Sequence, residues 1–226
     1  DGIIITSGTD TLHYSAAALD FVLEGLHTPV IIVGSQRSSD RGSSDAFVNL
    51  ISASYFITKT DFAGVAICMH ENISDDSCFI LPATKTRKMH TSRRDAFRPI
   101  NTKPWARVHY DNAHIEFLNK DYKKKDKSKK PTLKLFKPNL KVGILKIHTN
   151  MYASEFAAYK GFDGLILEAT GLGQIPISVI DEFTKEHKKI LATVKMLNDK
   201  GTVVANAPQT VYGQIQMNVY SPAREL

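Results

Sequence analysis

Three consecutive β-branched residues, Ile3 to Ile5, run without a break into Thr6-Ser-Gly-Thr-Asp-Thr-Leu12, so a strand ends abruptly on hydroxyls, a glycine and a carboxylate. An unbroken run of this kind suits a strand covered on both faces in a parallel sheet rather than one with a solvent face. The polar cluster then lies at the strand's carboxyl end, where open α/β sheets bind ligands, and after Gly8 the chain turns into a helical pattern from His13 to Leu26. Thr9 and Asp10 are expected to face that crevice. Ser, Thr and Asp are also ordinary helix N-caps, so on spacing alone Asp10 or Thr11 could equally satisfy the free amides of the helix start.

From there short apolar runs alternate with amphipathic stretches. His13 to Leu26 sets Tyr14, Ala17, Ala18, Phe21, Val22 and Leu26 at three- and four-residue spacings, an apolar stripe for a sheet, with Gly25 weakening its end. Thr28-Pro29 introduces a buried strand, Val30 to Gly34, followed by a polar loop from Ser35 to Asp45. Ser44 to Thr58 predicts a second helix, with Ser44 and Asp45 in capping positions and Ala46, Phe47, Leu50, Ile51, Ser54 and Tyr55 along its inward side. Gly64 to Met69 and Phe79 to Pro82 read as strands around an acidic surface loop, His70 to Ser77. Ala83 to Asn101, with five Arg and Lys before Asp95 and one after it, reads as a basic surface loop, and Trp105 to Leu118 as a hairpin turning at Asp111-Asn112.

A second series then begins: strand Lys141 to Ile147, helix Ala153 to Lys160, strand Leu165 to Glu168, a helix from Ser178 to Asn198 broken midway, and strand Thr202 to Ala205. Glu168-Ala-Thr-Gly-Leu-Gly173 puts a carboxylate, a hydroxyl and two glycines at a strand end, which suits a ligand-facing loop. It lacks the third glycine of a dinucleotide fingerprint, so no NAD site is expected. The alternation predicts an α/β fold in two domains. The larger, with a mixed and largely parallel sheet, covers 1–130 and ends in a lysine-rich linker at 119–138; a smaller parallel α/β domain covers 139–226.

With 226 residues, 42% hydrophobic and 9% aromatic, the chain can build real cores, which excludes disorder throughout. No apolar run approaches the roughly 18–20 residues of a membrane span, and no charged-then-apolar segment opens the chain, so a cytoplasmic protein is expected. Cys68 and Cys78, ten apart, are expected to be reduced packing thiols, with no metal site. The net charge of +6 invites a nucleic-acid reading, yet Asn119 to Lys130 holds seven Lys against two Asp and leaves the rest of the chain near neutrality. That run reads as a solvated loop, too densely charged to be buried, lacking paired carboxylates, and without aromatics beyond Tyr122 for base stacking. The chain opens directly on a core strand and stops at Pro222 to Leu226 without a closing element, so truncation at both ends is expected.

S-G-T-D-T-L followed by a helix resembles the H-G-T-D-T-[ML] signature of the asparaginase and glutaminase family, with Ser7 where that family usually has His. The resemblance implies that Thr9 and Asp10 belong to the catalytic apparatus and that Asp10 also binds substrate. K-M-H-T-S-R-R-D-A-F, from Lys88 to Phe97, resembles the family segment in which a lysine precedes a Thr-rich turn and a Phe, so Lys88 is the third catalytic candidate and Lys85 the fallback. V-G-S-Q-R, from Val33 to Arg37, is similar to the family's V-G-A-M-R loop, so Ser35 is expected to offer a backbone group to the leaving amide. Four stretches, Thr28 to Asp45, Arg87 to Asn101, Leu167 to Gly173 and Val211 to Ser221, resemble the family's archaeal amidotransferase branch, whose members serve glutamyl-tRNA(Gln).

The resemblance implies the asparaginase-like two-domain fold, hydrolysis of glutamine or asparagine with release of ammonia, and a homodimer. It also implies a partner subunit of the GatE type that activates Glu-tRNA(Gln) and receives the ammonia. ATP and Mg would belong to that partner, and no cofactor is expected on this chain. A threonine hydroxyl is too weak an acid to attack an amide near neutrality without an adjacent base, which a lysine held by a carboxylate can supply. The family's own attacking Thr lies in an upstream T-G-G-T-I-like turn that does not occur in these 226 residues, which leaves Thr9 in a supporting Thr-Asp-Lys set. A free-standing type I asparaginase and a catalytically incomplete scaffold are the competing expectations.

Overall fold

In the computed structural model, which describes residues 1–126, 128 and 130–226, the chain divides into two compact units, Asp1–Phe136 and Lys137–Leu226. The first contains β1 (Ile3–Thr6), α1 (Leu12–Val22), β2 (Leu23–Glu24), β3 (Pro29–Val33), α2 (Ala46–Lys59), β4 (Gly64–His70), β5 (Ser77–Pro82), β6 (Thr86–Lys88), β7 (Phe97–Pro99), β8 (Ala106–His109), β9 (Ile115–Phe117) and β10 (Thr132–Leu133). Six strands make one sheet in the order β1-β3-β4-β5-β8-β9. The first three run parallel, with Ile3 opposite Val30 and Val30 opposite Val65, and the remaining pairings are antiparallel.

Alternate side chains of a strand point to opposite faces, and here both faces are covered. Ile31, Val33, Ala66 and Cys68 pack with Val48, Ala53, Phe56 and Ile57 of α2. Val30, Ile32, Val65, Ile67 and Met69 pack with Leu12 and Ala16 of α1. Each such fully buried aliphatic or aromatic side chain contributes about 1.5–3 kcal/mol, which is why neither β3 nor β4 carries a polar alternation.

β1 departs from expectation. It pairs with β3 alone among the described residues, and Ile3 is 52% exposed, so the isoleucine run lies on the sheet's edge rather than under cover on both faces. α1 stops at Val22 instead of Leu26 because Leu23 and Glu24 pair antiparallel with Leu133 and Thr132, and Gly25 turns the chain at φ 73°. Its buried stripe is Leu12 and Ala16, with Leu19 beside them, while Tyr14 and Phe21 are exposed. α2 is likewise rotated from the apolar pattern. Its buried face includes Asn49 and Ser52, whereas Phe47 is 63% exposed, and Asn49 is held inside by hydrogen bonds to Gly34, Asp45 and His70.

The expected loop His70 to Ser77 is shorter, since His70 ends β4, Ser77 begins β5, and both are buried. The basic stretch after Pro82 is not a loop: β6 and β7 pair through Lys88 and Phe97, Phe97 is fully buried, and Asp95 takes Arg93 and Arg98. β8 and β9 form the expected hairpin.

Lys124 does have a carboxylate partner, Asp61 at 3.1 Å, and Lys125 Nζ donates to the carbonyls of Ile57 and Thr60 at the end of α2, so the lysine run is partly docked. Lys127 and Lys129 of that run lie outside the described residues.

The second unit holds β11 (Val142–Lys146), α3 (Ala153–Ala157), β12 (Gly164–Ala169), α4 (His187–Asp199), β13 (Val203–Pro208) and α5 (Ser221–Arg224). Its three strands form a parallel sheet in the order β11-β12-β13. Leu165, Leu167 and Phe156 pack there against Ile190, Val194 and Leu197. α3 ends three residues before the expected Lys160, ahead of Gly161 at φ 84°. α4 starts at His187 rather than Ser178, because Asp181 accepts the Phe183 and Thr184 amides and Thr184 Oγ1 those of Ile180 and Asp181. Such local side-chain bonds compete with a helix ladder.

Candidate active site

The site grows from the end of β1. Ser7 N donates to Val33 O at 2.9 Å, keeping the outgoing chain against β3, and fully buried Leu12 anchors the start of α1. Gly34 lets the two segments touch: a Cβ there would lie 2.7 Å from Leu12 Cδ1, 2.9 Å from Thr9 Cγ2 and 3.0 Å from Ser7 O. The capping alternative for this stretch is settled by geometry. Thr11 occupies the N-cap position of α1 without a side-chain cap bond, and the carboxylate of Asp10 is turned to Lys88.

Lys88 closes the set from the far side of the sequence. At the end of β6, its Nζ donates to Asp10 Oδ1 at 2.8 Å and to Thr9 Oγ1 at 3.0 Å. Its side chain is 11% exposed and that of Asp10 95%, so a mostly covered ammonium holds a carboxylate that stays open to solvent. The Lys88 hydrogen bond, then its charge, keeps the Asp10 carboxyl below its ordinary value. Lys85, the fallback, sits exposed at the end of a 3-10 turn.

Thr9 in turn donates to Gln36 Oε1 at 2.9 Å. An ionised, accessible carboxylate can take a substrate ammonium, and a lysine beside a hydroxyl can move its proton once it is itself deprotonated.

Two cavities open at this stretch. One of about 470 Å³ is lined by Thr6, Ser7, Gly8, Gly34 and Ser35 among others. Another of about 390 Å³ is lined by Asp10, His13, Arg87, Lys88 and His90 among others. Burial, then the charges of Arg87 and Lys88, pushes the His13 imidazole below its ordinary value, so it enters that basic corner as a neutral ring at neutral pH.

Ser35 lies in the expected loop, but its hydroxyl points away from Thr9. It bonds Asp45 Oδ1 at 2.9 Å and the Arg37 carbonyl.

Asp45 stands at the expected N-cap position of α2, but its side chain makes no cap bond there. Fully buried, it accepts Ser35 Oγ, the amides of Gln36 and Arg37, and Asn49 Nδ2, at 2.9 to 3.2 Å. Asn49 Nδ2 also donates to Gly34 O, which turns its Oδ1 toward His70 Nδ1 at 2.6 Å, and His70 Nε2 meets Asp75 Oδ1 at 3.1 Å. Gln36, Asp45, Asn49 and His70 were outside the expected site. The one available signal was a polar residue on the inward side of α2, which an apolar-stripe pattern discards. Cys68 and Cys78 are buried free thiols beside this chain of bonds, and burial pushes the Cys68 thiol up.

A family model described as asparaginase, N-terminal, matches residues 1–123. The chain is 41% identical over 228 residues to the D-type component of the glutamyl-tRNA(Gln) amidotransferase of Pyrococcus furiosus, covering 100% of this chain and 49% of that protein. The corresponding amidotransferase component of Thermococcus kodakarensis is 42% identical, with 100% and 48% covered. Among solved structures, the thermostable L-asparaginase from Thermococcus kodakarensis superposes with a TM-score of 0.81 at 26% identity, covering 100% of this chain and 62% of that one. L-asparaginase I from Vibrio cholerae shares the fold, with a TM-score of 0.83 at 24% identity and the same coverage. The chain spans about half the length of the curated relatives it matches. A mixed sheet whose first strand leads into a turn carrying Thr9 and Asp10, a lysine brought to both, and a family match over residues 1–123 together lead to one assignment: the chain belongs to the asparaginase family.

Proposed function

We propose that the protein hydrolyses the side-chain amide of glutamine or asparagine and that the ammonia serves the amidation of Glu-tRNA(Gln), as the names of its amidotransferase relatives suggest. The observation that carries the hydrolytic reading is Lys88 Nζ lying 3.0 Å from Thr9 Oγ1 and 2.8 Å from Asp10 Oδ1. On this reading Asp10 orients Lys88 and holds the substrate's α-ammonium, Lys88 moves protons at the reacting hydroxyls, and Ser35 offers its backbone to the leaving amide. Attack belongs to a hydroxyl supplied by the full-length protein, and Thr9 supports it. The ammonia passes to a GatE-type partner that activates Glu-tRNA(Gln) with ATP and Mg, and the protein works as a homodimer in the cytoplasm.

The test is to add such a partner and Glu-tRNA(Gln) to the full-length protein and follow glutamine turnover beside Gln-tRNA(Gln) formation. Coupled turnover is expected. Vigorous asparagine hydrolysis indifferent to partner and tRNA would instead favour a free-standing asparaginase.

A further inference from the structure

We propose that Gln36 is a positioning residue for the Thr9–Lys88 pair and that Asp45 clamps Gln36 in place, an inference that rests on the amidohydrolase reading above. A threonine hydroxyl has one proton and two lone pairs, and a lysine ammonium is a donor only. Lys88 donates to Thr9 Oγ1, so the Thr9 proton has to go elsewhere, and Gln36 Oε1 at 2.9 Å receives it. With its proton fixed on Gln36, the oxygen turns a lone pair to Lys88. Hydrogen bonds then run in one sense from Lys88 through Thr9 to Gln36. Loss of the acceptor frees the hydroxyl proton and removes the bond that keeps Thr9 Oγ1 against Lys88.

Gln36 is itself held from behind. Its backbone N–H donates to Asp45 Oδ2 at 3.0 Å, and on either side Ser35 Oγ and Arg37 N donate to Asp45 Oδ1, each at 2.9 Å. Asp45 is fully buried, so these bonds do not exchange with water, and Asn49 Nδ2 at 3.2 Å completes its acceptor set. One carboxylate therefore fixes three successive residues of the loop with Gln36 in the middle. The Nε2 of Gln36 is buried without a partner among the described residues, so the side chain is not placed there to complete its own hydrogen bonding. What its position does accomplish is the bond to Thr9.

The full-length protein carrying Gln36→Leu, Gln36→Glu or Asp45→Asn tests this through glutamine hydrolysis, thermal melting and a crystal structure of the Leu variant. Gln36→Leu is expected to lower kcat about a hundredfold with KM changed less than about threefold and the melting temperature preserved, because misplacement rather than lost binding is the defect. Gln36→Glu, which keeps an acceptor at the same reach, is expected to restore at least about a tenth of the wild-type kcat. Asp45→Asn is expected to follow Gln36→Leu in kcat if it folds; Gln36→Leu decides the matter if it does not. A Gln36→Leu enzyme within about threefold of wild type overturns the proposal, as does a Glu variant no better than the Leu variant. A wild-type protein without amide hydrolysis removes the amidohydrolase reading by itself. The Leu variant's structure then decides: Thr9 Oγ1 still 3.0 Å from Lys88 Nζ overturns the proposal, and a separated pair sustains it.

Discussion

Lys88 Nζ reaches two oxygens that follow one another in sequence, those of Thr9 and Asp10, so removing either end of the Asp10–Lys88 contact undoes the same arrangement. In the full-length protein, Asp10→Asn and Lys88→Met are each expected to lower glutamine turnover about a hundredfold or more, with the double variant little worse than either single one. Steady-state kinetics check this, and additive losses count against a shared unit. Ser7→Ala is expected to cost far less. Lys85→Met is expected to retain activity, since Lys85 is exposed at the end of its turn.

His70 supports a second expectation at this scale. Burial alone lowers its pKa, but Cys78, Asp75 and Asp45 outweigh burial and hold the imidazole above its ordinary 6.5. Both ring nitrogens face acceptor oxygens, of Asn49 and Asp75, which suits the doubly protonated ring. A pKa raised by folding adds stability that is complete below the unfolded value and is lost as pH rises through the folded one. The stability advantage of wild type over His70→Gln should therefore shrink as pH climbs above 6.5, and an advantage constant across neutrality in thermal melts refutes it.

Elements place these residues by close approach as much as by hydrogen bonds. The end of β3 meets the Ser7–Thr9 turn at Gly34, where a methyl group would sit 2.9 Å from Thr9 Cγ2 and 3.0 Å from the Ser7 carbonyl. Gly34→Ala is thus expected to push the turn off β3 and reduce turnover by about tenfold or more, in line with the cost of misplacing reacting groups. Unchanged kinetics in a folded variant would show that the turn can yield. The lysine run behaves oppositely. Lys124 and Lys125 pin the segment to Asp61 and to the end of α2, a contact that stabilises by about 0.3–1 kcal/mol at a helix terminus. Replacing Lys123, Lys124 and Lys125 with Ser should lower the melting temperature slightly and leave glutamine hydrolysis intact. A loss of activity above about tenfold, roughly 1.4 kcal/mol of barrier, contradicts that assignment.

The whole molecule is two units with separate cores, and the proposed homodimer is a property of this scale. Sedimentation of the full-length protein at micromolar concentration is expected to give a dimer, and a monomer there removes that part of the proposal. Local sequence determined a good deal. Unbroken apolar runs at Val30 to Val33 and Gly64 to Met69 marked two strands, and the motif from Ser7 to Leu12 pointed to Thr9 and Asp10, which Lys88 joins, because strand burial and turn chemistry are written in neighbouring residues. Only the tertiary structure decided that β1 lies at a sheet edge, which face of α2 turns inward, and that the side chain of Asp45, at the N-cap of α2, turns to the Ser35–Arg37 loop. Each of these depends on partners far along the chain. Asn49 is inside because Gly34, Asp45 and His70 accept or offer hydrogen bonds there, and the worth of a buried polar group is set by partners that no local pattern contains.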